Sequence, residues 1–259
     1  MRSLLRRMVG QTGDLEHDEG DGTCIYAVGD IHGHADLLHE ICARIDADMR
    51  ESRPARPIQV FLGDYIDRGP DSRDVIAMLE QRRRTHSVVC LLGNHEACLL
   101  EFLVNPDMLA QWRQFGGLQT LMSYGLTPSL NPDAAERRAL AGQLVRQMPP
   151  AHLAFLRSLP ITFSCGRYFF VHAGVRPGVA LKRQRKEDLL WIRDDFLVSE
   201  DDFGKVVVHG HTPVQEAELL RNRINVDTGA YATGRLTCVK LEGARRTLLM
   251  TGNRAARHG

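Results

Sequence analysis

The sequence predicts an α/β fold, a sandwich of two packed β-sheets flanked by helices. Three observations predict it. Strand-like and helix-like patterns alternate from Cys24 to Gly93, the mark of βαβ units and a parallel sheet. From Ile161 onward the chain is mostly strand-like, and the tight spacing from Glu216 on reads as an antiparallel second sheet. Five apolar runs also stop at loops bearing carboxylate, amide or imidazole side chains. In open α/β sheets such loops gather beyond the carboxyl ends of the strands.

The N-terminal stretch, residues 1–22, opens basic and turns polar and acidic with no apolar core between. It reads as a flexible tail, not a signal peptide. The folded body is expected over 23–250, with a second tail over 251–259. CIYAV is the first strand, ending at Gly29 and Asp30. Leu37, Ile41 and Ile45 recur at spacing four, with Leu38 and Cys42 beside them, which predicts a helix over 34–50. Pro57 closes a polar loop, and Ile58, Val60, Phe61 and Leu62 form the second strand. Pro70, Asp71 and Ser72 start a second helix with Val75, Ile76 and Leu79 on its apolar face. Arg82, Arg83 and Arg84 complement its C-terminus.

SVVCLL is the third strand. Residues 97–160 hold few β-branched side chains and read as a helical insertion. Its helices are expected at 97–104, at 109–124 with a break at Gly116-Gly117, at 134–147 and at 151–158. Beyond it come ITFSC, RYFFV, KVVV, EAELL, RINV, LTCVKLE and RTLLM, with Arg221-Asn222 as a hairpin turn.

The stretch IQVFLGDYIDRG carries the clearest chemical signal. A buried strand stops at Gly63 and is followed by Asp64, Asp67 and Arg68. Carboxylates in such a place are paired or bound to metal. The other strand ends supply Asp30 and His32, Asn94 and His95, His172, and His209 and His211. Asp30 and His32 are two residues apart and project to one side of an extended segment. Asp64 has two oxygens and can bridge two cations. The partition is one metal on Asp30, His32 and Asp64 and a second on Asp64, Asn94, His172 and His211. Two ions about 3.5–4 Å apart clamp an in-line displacement at phosphorus. With Arg68 and Arg193 added, the pocket is net positive and suits a phosphate dianion.

GDIHG, GDYIDRG, GNHE, HAG and HGHT, in this order, resemble the phosphoprotein phosphatase family of metallophosphatases, in its bacterial branch. The motifs run from Gly29 to Thr212. The resemblance implies a sandwich of two mixed sheets, with Asp30, His32, Asp64, Asn94, His172 and His211 as metal ligands. It also implies His95 as the general acid, Asp67 as its orienting partner, and Arg68 and Arg193 as phosphate-binding residues. Gly210-His211-Thr212-Pro213 places proline where related nucleases and cyclic-nucleotide phosphodiesterases carry another ligand histidine. His209 falls outside the ligand frame. The loop 227–234, with Asp227 and Tyr231, lies where the family carries a loop over the site; Asp227 reads equally as a turn former.

Glu96 reads as a support of its loop, Trp112 and Trp191 as core, and the remaining histidines as tail, surface or core-edge residues. Apolar content is 43%, charged content 25% and net charge +1, an ordinary soluble composition. No charge excess calls for nucleic acid or a membrane surface. The six scattered cysteines, with no CxxC, read as buried small hydrophobes in a reducing cytoplasm. The expected cofactors are two divalent metal ions, manganese first, with iron or zinc as alternatives. The expected activity is removal of phosphate from phosphoserine and phosphothreonine in a phosphoprotein or phosphopeptide. The alternative is hydrolysis of diadenosine tetraphosphate, and the third class is a binding protein with a dead site. The oligomeric state is left open.

Overall fold

A computed structural model describes residues 13–15 and 22–252; the two expected tails otherwise lie outside the described residues. The first sheet is built on β2 (Thr23–Val28), β3 (Arg56–Phe61) and β4 (Val88–Cys90), all parallel. α1 (Ala35–Ser52) and α2 (Ser72–Thr85) are the two crossovers. α1 buries Leu37, Leu38, Ile41, Cys42 and Ile45, the face its spacing predicts, and stops at a left-handed Arg53 before Pro54.

α3 (Asn94–Phe102) begins three residues earlier than the sequence suggests. The Glu96 carboxylate turns back and accepts the Gly93 amide at 3.0 Å, which nucleates the first turn. Asn94 and His95 therefore sit on a helix N-terminus and not in a loop. The insertion then forms α4 (Leu109–Trp112), a 3₁₀ turn, a left-handed Gly116, α5 (Gly117–Ser123), α6 (Ala134–Gln147) and α7 (Pro150–Arg157). Asp133 caps α6 by accepting the Glu136 amide at 2.8 Å.

The second sheet holds β1 (Gly13–Leu15), β5 (Thr162–Cys165), β6 (Tyr168–Val171), β7 (Val206–His209), β9 (Arg223–Asn225) and β8 (Glu218–Leu219) in that spatial order. It is mixed and not antiparallel: β6, β7 and β9 run parallel, while β5–β6 and β8–β9 are antiparallel pairs. β1 lies within the expected N-terminal tail. The last two strands, β10 (Thr237–Glu242) and β11 (Arg245–Met250), join the first sheet instead, with β10 antiparallel to β2.

Strand alternation divides the interior into layers. Ile25, Ala27, Ile58 and Val60 face the second sheet and meet Phe163, Phe170, Val208 and Ile224. Their neighbours Cys24, Tyr26 and Val28 face outward and pack under α1, α2 and the insertion. On the far side Phe169, Val171 and Val207 meet Leu189 of α8 (Lys186–Trp191), Phe196 of α9 (Asp194–Leu197) and Ile192 between them. All six cysteines are buried free thiols. Among the described residues no helix is long and apolar enough to cross a membrane.

Candidate active site

The carboxyl ends of β2, β3, β4, β6 and β7 point to one place, and their loops are sewn together by main-chain bonds. The amides of Ile31 and His32 both donate to the Asp64 carbonyl, at 3.1 and 2.9 Å. The Gly33 amide donates to Tyr65, and the Gly210 amide to the His172 carbonyl at 2.9 Å. Gly93 must be glycine, because a Cβ there would lie 2.2 Å from an Asp64 oxygen. His32, Asp64, Asp67, Arg68 and His211 all have positive φ, between 48° and 72°. Five strained residues in one cluster are a cost that the packing around them sustains, and such strain collects at functional sites.

Asp64 lies at the centre. Its Oδ2 is 3.7 Å from His32 Nε2 and 3.6 Å from His95 Nε2. Its Oδ1 is 3.4 Å from His172 Nε2 and accepts the His95 amide at 3.1 Å, at the N-terminus of α3. Two groups of side chains are compact enough to hold an ion: His32, Asp64 and His95, and Asp64, His172 and His211, all buried. Asp64 belongs to both. Asn94 adds its amide oxygen to the second, 2.8 Å from His172 Nε2. Asp30 is buried in the same centre but stands in neither group. Its carboxylate accepts the His211 amide at 3.1 Å, and burial, then Asp227, push its carboxyl well above the usual range.

The donor set fits a divalent cation. His172 Nδ1 lies 2.9 Å from the Leu62 carbonyl and His32 Nδ1 lies 3.0 Å from the Ile66 carbonyl. A carbonyl accepts only, so each Nδ1 carries the proton and each Nε2 is left as a lone pair. The His172 lone pair then faces the Asn94 oxygen, Asp64 Oδ1 and His211 Nδ1, the last at 3.2 Å. His211 Nε2 has no hydrogen-bond partner. Electron-pair donors pointed at one another in a buried space call for a positive charge between them. Burial opposes charge on His172, but the Asp64 carboxylate and the bond to it outweigh that and push the ring up to about 10. Burial, reinforced by His172, pulls His211 down to about 2, which favours the neutral ring.

His95 and Asp67 form a pair, with His95 Nδ1 2.6 Å from Asp67 Oδ2. Burial lowers the His95 ring, but Asp64 and then Asp67 raise it further, for a net upward shift. Arg68 is half-buried and lays its guanidinium over Tyr231, 4.0 Å from the ring centroid. Arg193 is exposed and donates to the Thr212 hydroxyl at 3.3 Å, one residue from His211.

Three aromatic rings border the cluster. Tyr231 lies 5.4 Å from the His32 ring, and Phe115 lies 6.0 Å from His95. Trp191 lies 6.1 Å from His211 and 5.9 Å from Phe115. The sequence reading of Trp191 as core is corrected: it is 39% exposed, because it ends a six-residue helix whose buried face is Leu189 and Leu190. Trp112 is buried as expected, but its indole N–H donates to Asp67. Asp227 is both turn former and neighbour of the site, accepting the Gly229 amide at 2.9 Å. His209 is fully buried against Phe196 and outside the ligand groups.

Glu96 supports the loop more extensively than its position suggests. Oε2 accepts the amides of Gly93 and Asp64, and Oε1 those of Tyr65 and Ile66. Glutamine would turn an amide group toward two of these donors. The expected cost of Glu96→Gln is about 2–6 kcal/mol, since each of the two orphaned buried donors costs about 1–3 kcal/mol. Equilibrium urea unfolding measures it, and an unchanged midpoint would remove Glu96 from this role.

The calcineurin-like phosphoesterase family model matches residues 25–241. The chain is 24% identical over 234 residues to an asymmetrical bis(5'-nucleosyl)-tetraphosphatase of Halalkalibacterium halodurans, covering 82% of this chain and 88% of the relative. It is 25% identical over 232 residues to the same-named enzyme of Bacillus thuringiensis, again covering 82% and 88%. A crystal structure of a candidate diadenosine tetraphosphatase superposes with a TM-score of 0.64 at 18% identity, covering 94% of this chain and 100% of that one. A serine/threonine protein phosphatase of Saccharomyces cerevisiae superposes with a TM-score of 0.57 at 15% identity, covering 98% and 87%. With the matched region spanning most of the chain, from the first strand before Asp30 to the last strand but one, this protein belongs to the calcineurin-like phosphoesterases.

Proposed function

We propose that this protein hydrolyses dinucleoside tetraphosphates, with two divalent ions, manganese first and iron or zinc as alternatives. The ligands proposed are Asp30, His32 and Asp64 for one ion and Asp64, Asn94, His172 and His211 for the other. The observation that carries the substrate choice is the aromatic border. Tyr231 and Trp191, 40% and 39% exposed, stand on either side of the ligand histidines, with Phe115 beside Trp191. Exposed rings beside a phosphate-binding centre offer stacking surfaces for a base. The names of the curated relatives support the same reading. We prefer it to the phosphoprotein expectation, which followed from the family resemblance; the three rings come from three separate segments.

When bound, the ions supply charge that polarises the phosphoryl group and acidifies the attacking water. Arg68 and Arg193 hold phosphate oxygens in their planar forks. Water forms a new P–O bond and loses a proton to solvent, the bridging P–O–P bond breaks, and His95 gives its proton to the departing phosphate oxygen and regains one from solvent. Asymmetrical cleavage yields a nucleoside triphosphate and a nucleoside monophosphate.

One observation favours phosphoserine or phosphothreonine as a second reading. The Asp67–His95 pair is closely built, and an alkoxide leaving group needs an acid more than a phosphate does. Turnover of diadenosine tetraphosphate and of a phosphoserine peptide, compared by kcat/KM on one manganese-loaded preparation, separates the two. The dinucleotide is expected to win, with triphosphate and monophosphate products in chromatography. Trp191→Ala is expected to raise KM for the dinucleotide about tenfold, in the range of base–aromatic stacking, and to leave 4-nitrophenyl phosphate unaffected. Clear preference for the peptide overturns the reading.

A further inference from the structure

We infer that Trp112 and Thr120, both from the helical insertion, are positioning residues that clamp the Asp67 carboxylate for His95. The inference rests on His95 acting as the acid.

Asp67 is completely buried, as are Trp112, Thr120 and Ser72. Its Oδ2 accepts the Trp112 indole N–H at 2.6 Å, in addition to the His95 contact. Its Oδ1 accepts the Thr120 hydroxyl. Its amide donates to Thr120 Oγ1 at 2.9 Å and to Ser72 Oγ at 3.0 Å. Thr120 therefore holds both the main chain and the side chain of one residue, and does so where φ is +72°. With a donor fixed at each oxygen, the carboxylate cannot turn about its own axis. The His95 ring follows, and its Nε2 stays aimed at the Asp64 side of the centre.

The local sequence is built for this contact. A Cβ on Gly117 would lie 2.5 Å from the Trp112 indole, so the ring lies directly on the start of α5. Gly116, at φ +96°, accepts the Arg68 amide at 3.3 Å and brings the turn against the loop that carries Asp67. Trp112, Gly116, Gly117 and Thr120 thus form one unit against the Asp67–Arg68 backbone. Packing alone would be served by any buried carbonyl as partner for the indole N–H. Here that N–H goes to the carboxylate that holds His95.

The test compares phenyl phosphate with 4-nitrophenyl phosphate, the former with the poorer leaving group, on manganese-loaded full-length protein. Trp112→Phe removes the N–H and Thr120→Val the hydroxyl, both nearly preserving shape. Each is expected to lower kcat about tenfold on phenyl phosphate, at the lower end of supporting-residue effects, and no more than about twofold on 4-nitrophenyl phosphate. Thr120→Ser keeps the hydroxyl and is expected to restore the phenyl phosphate rate. Metal content stays at the wild-type value throughout. Equal losses on the two esters would mean that the pair only holds the fold, and would overturn the inference. If Trp112→Phe does not fold, the two Thr120 variants decide it. His95→Asn is the reference. If it shows the leaving-group dependence and Thr120→Val does not, this inference alone fails. If His95→Asn shows none, the acid role fails and the inference with it.

Discussion

Asp64→Asn is expected to abolish turnover and remove at least one metal ion in the same step. Asp64 is the one residue common to the two compact ligand groups among the described residues. One oxygen faces His32 and His95, the other His172. Burial pushes its carboxyl up, but the charges of His172 and His95 outweigh that and hold it well below the usual range. That favours the ionised form, which the proposed bridging role requires. Asparagine removes that charge and replaces one oxygen with an amide nitrogen that has no lone pair for a metal. The loss of rate is expected to exceed about 10³-fold, more than the 10–100-fold typical of residues that only support a ligand. Metal analysis after dialysis, beside turnover, reads both effects. Chelator treatment of the wild type is expected to give the same inactive state, reversible by manganese, while the variant stays inactive. A variant that keeps two ions and turns over normally would refute the bridge.

The strand ends were legible because the physics is local. An apolar β-branched run that stops at glycine and continues into Asp, Asn or His can be read without knowing its neighbours. Asp64, Asn94, His172 and His211 lie close together in the structure. What lay beyond the sequence was non-local. The alternation in LTCVKLE shows that Val239 and Leu241 face one way and Cys238 the other, yet nothing in it says that β10 pairs with β2. The start of α3 depended on Glu96 reaching back to Gly93, and an acid three residues after a glycine is a weak cap signal. Spacing puts Asp30 on an ion with His32, but its carboxylate is drawn to the His211 amide, a contact across 181 residues of sequence.

The aromatic residues divide in the same way. The loop of Tyr231 predicts a place near the site, and the ring lies there, under Arg68. Trp191 and Trp112 both read as core, and only the second is buried. A tryptophan has an apolar body and one polar atom, and composition does not say where that atom goes. The Gly116-Gly117 pair was legible as a break. Its close approach to Arg68 and to Trp112 appears only once the insertion is folded onto the first sheet.

His95→Asn is expected to keep both ions and to slow hydrolysis by about 10²–10⁴-fold on a poor leaving group, the usual worth of a general acid. The geometry supports the division of labour within the ring. Nδ1 is taken by Asp67 at 2.6 Å, while Nε2 faces the centre, 3.6 Å from Asp64. The net upward shift of the ring favours the protonated form that can donate. Yet His95 also stands in one of the two groups compact enough to hold an ion, so the same nitrogen could serve as a ligand. The two roles give different results. A ligand removed takes its ion with it and lowers the rate on every ester alike. An acid removed leaves the metal content unchanged and spares esters whose leaving group departs without a proton. The loss should therefore be largest on a phosphoserine peptide, smaller on diadenosine tetraphosphate and smallest on 4-nitrophenyl phosphate, with chemistry shown to limit each rate. That order, with two ions still bound, assigns the proton to His95. Equal losses with one ion missing would move His95 to the metal and leave the departing oxygen without a donor from this pair.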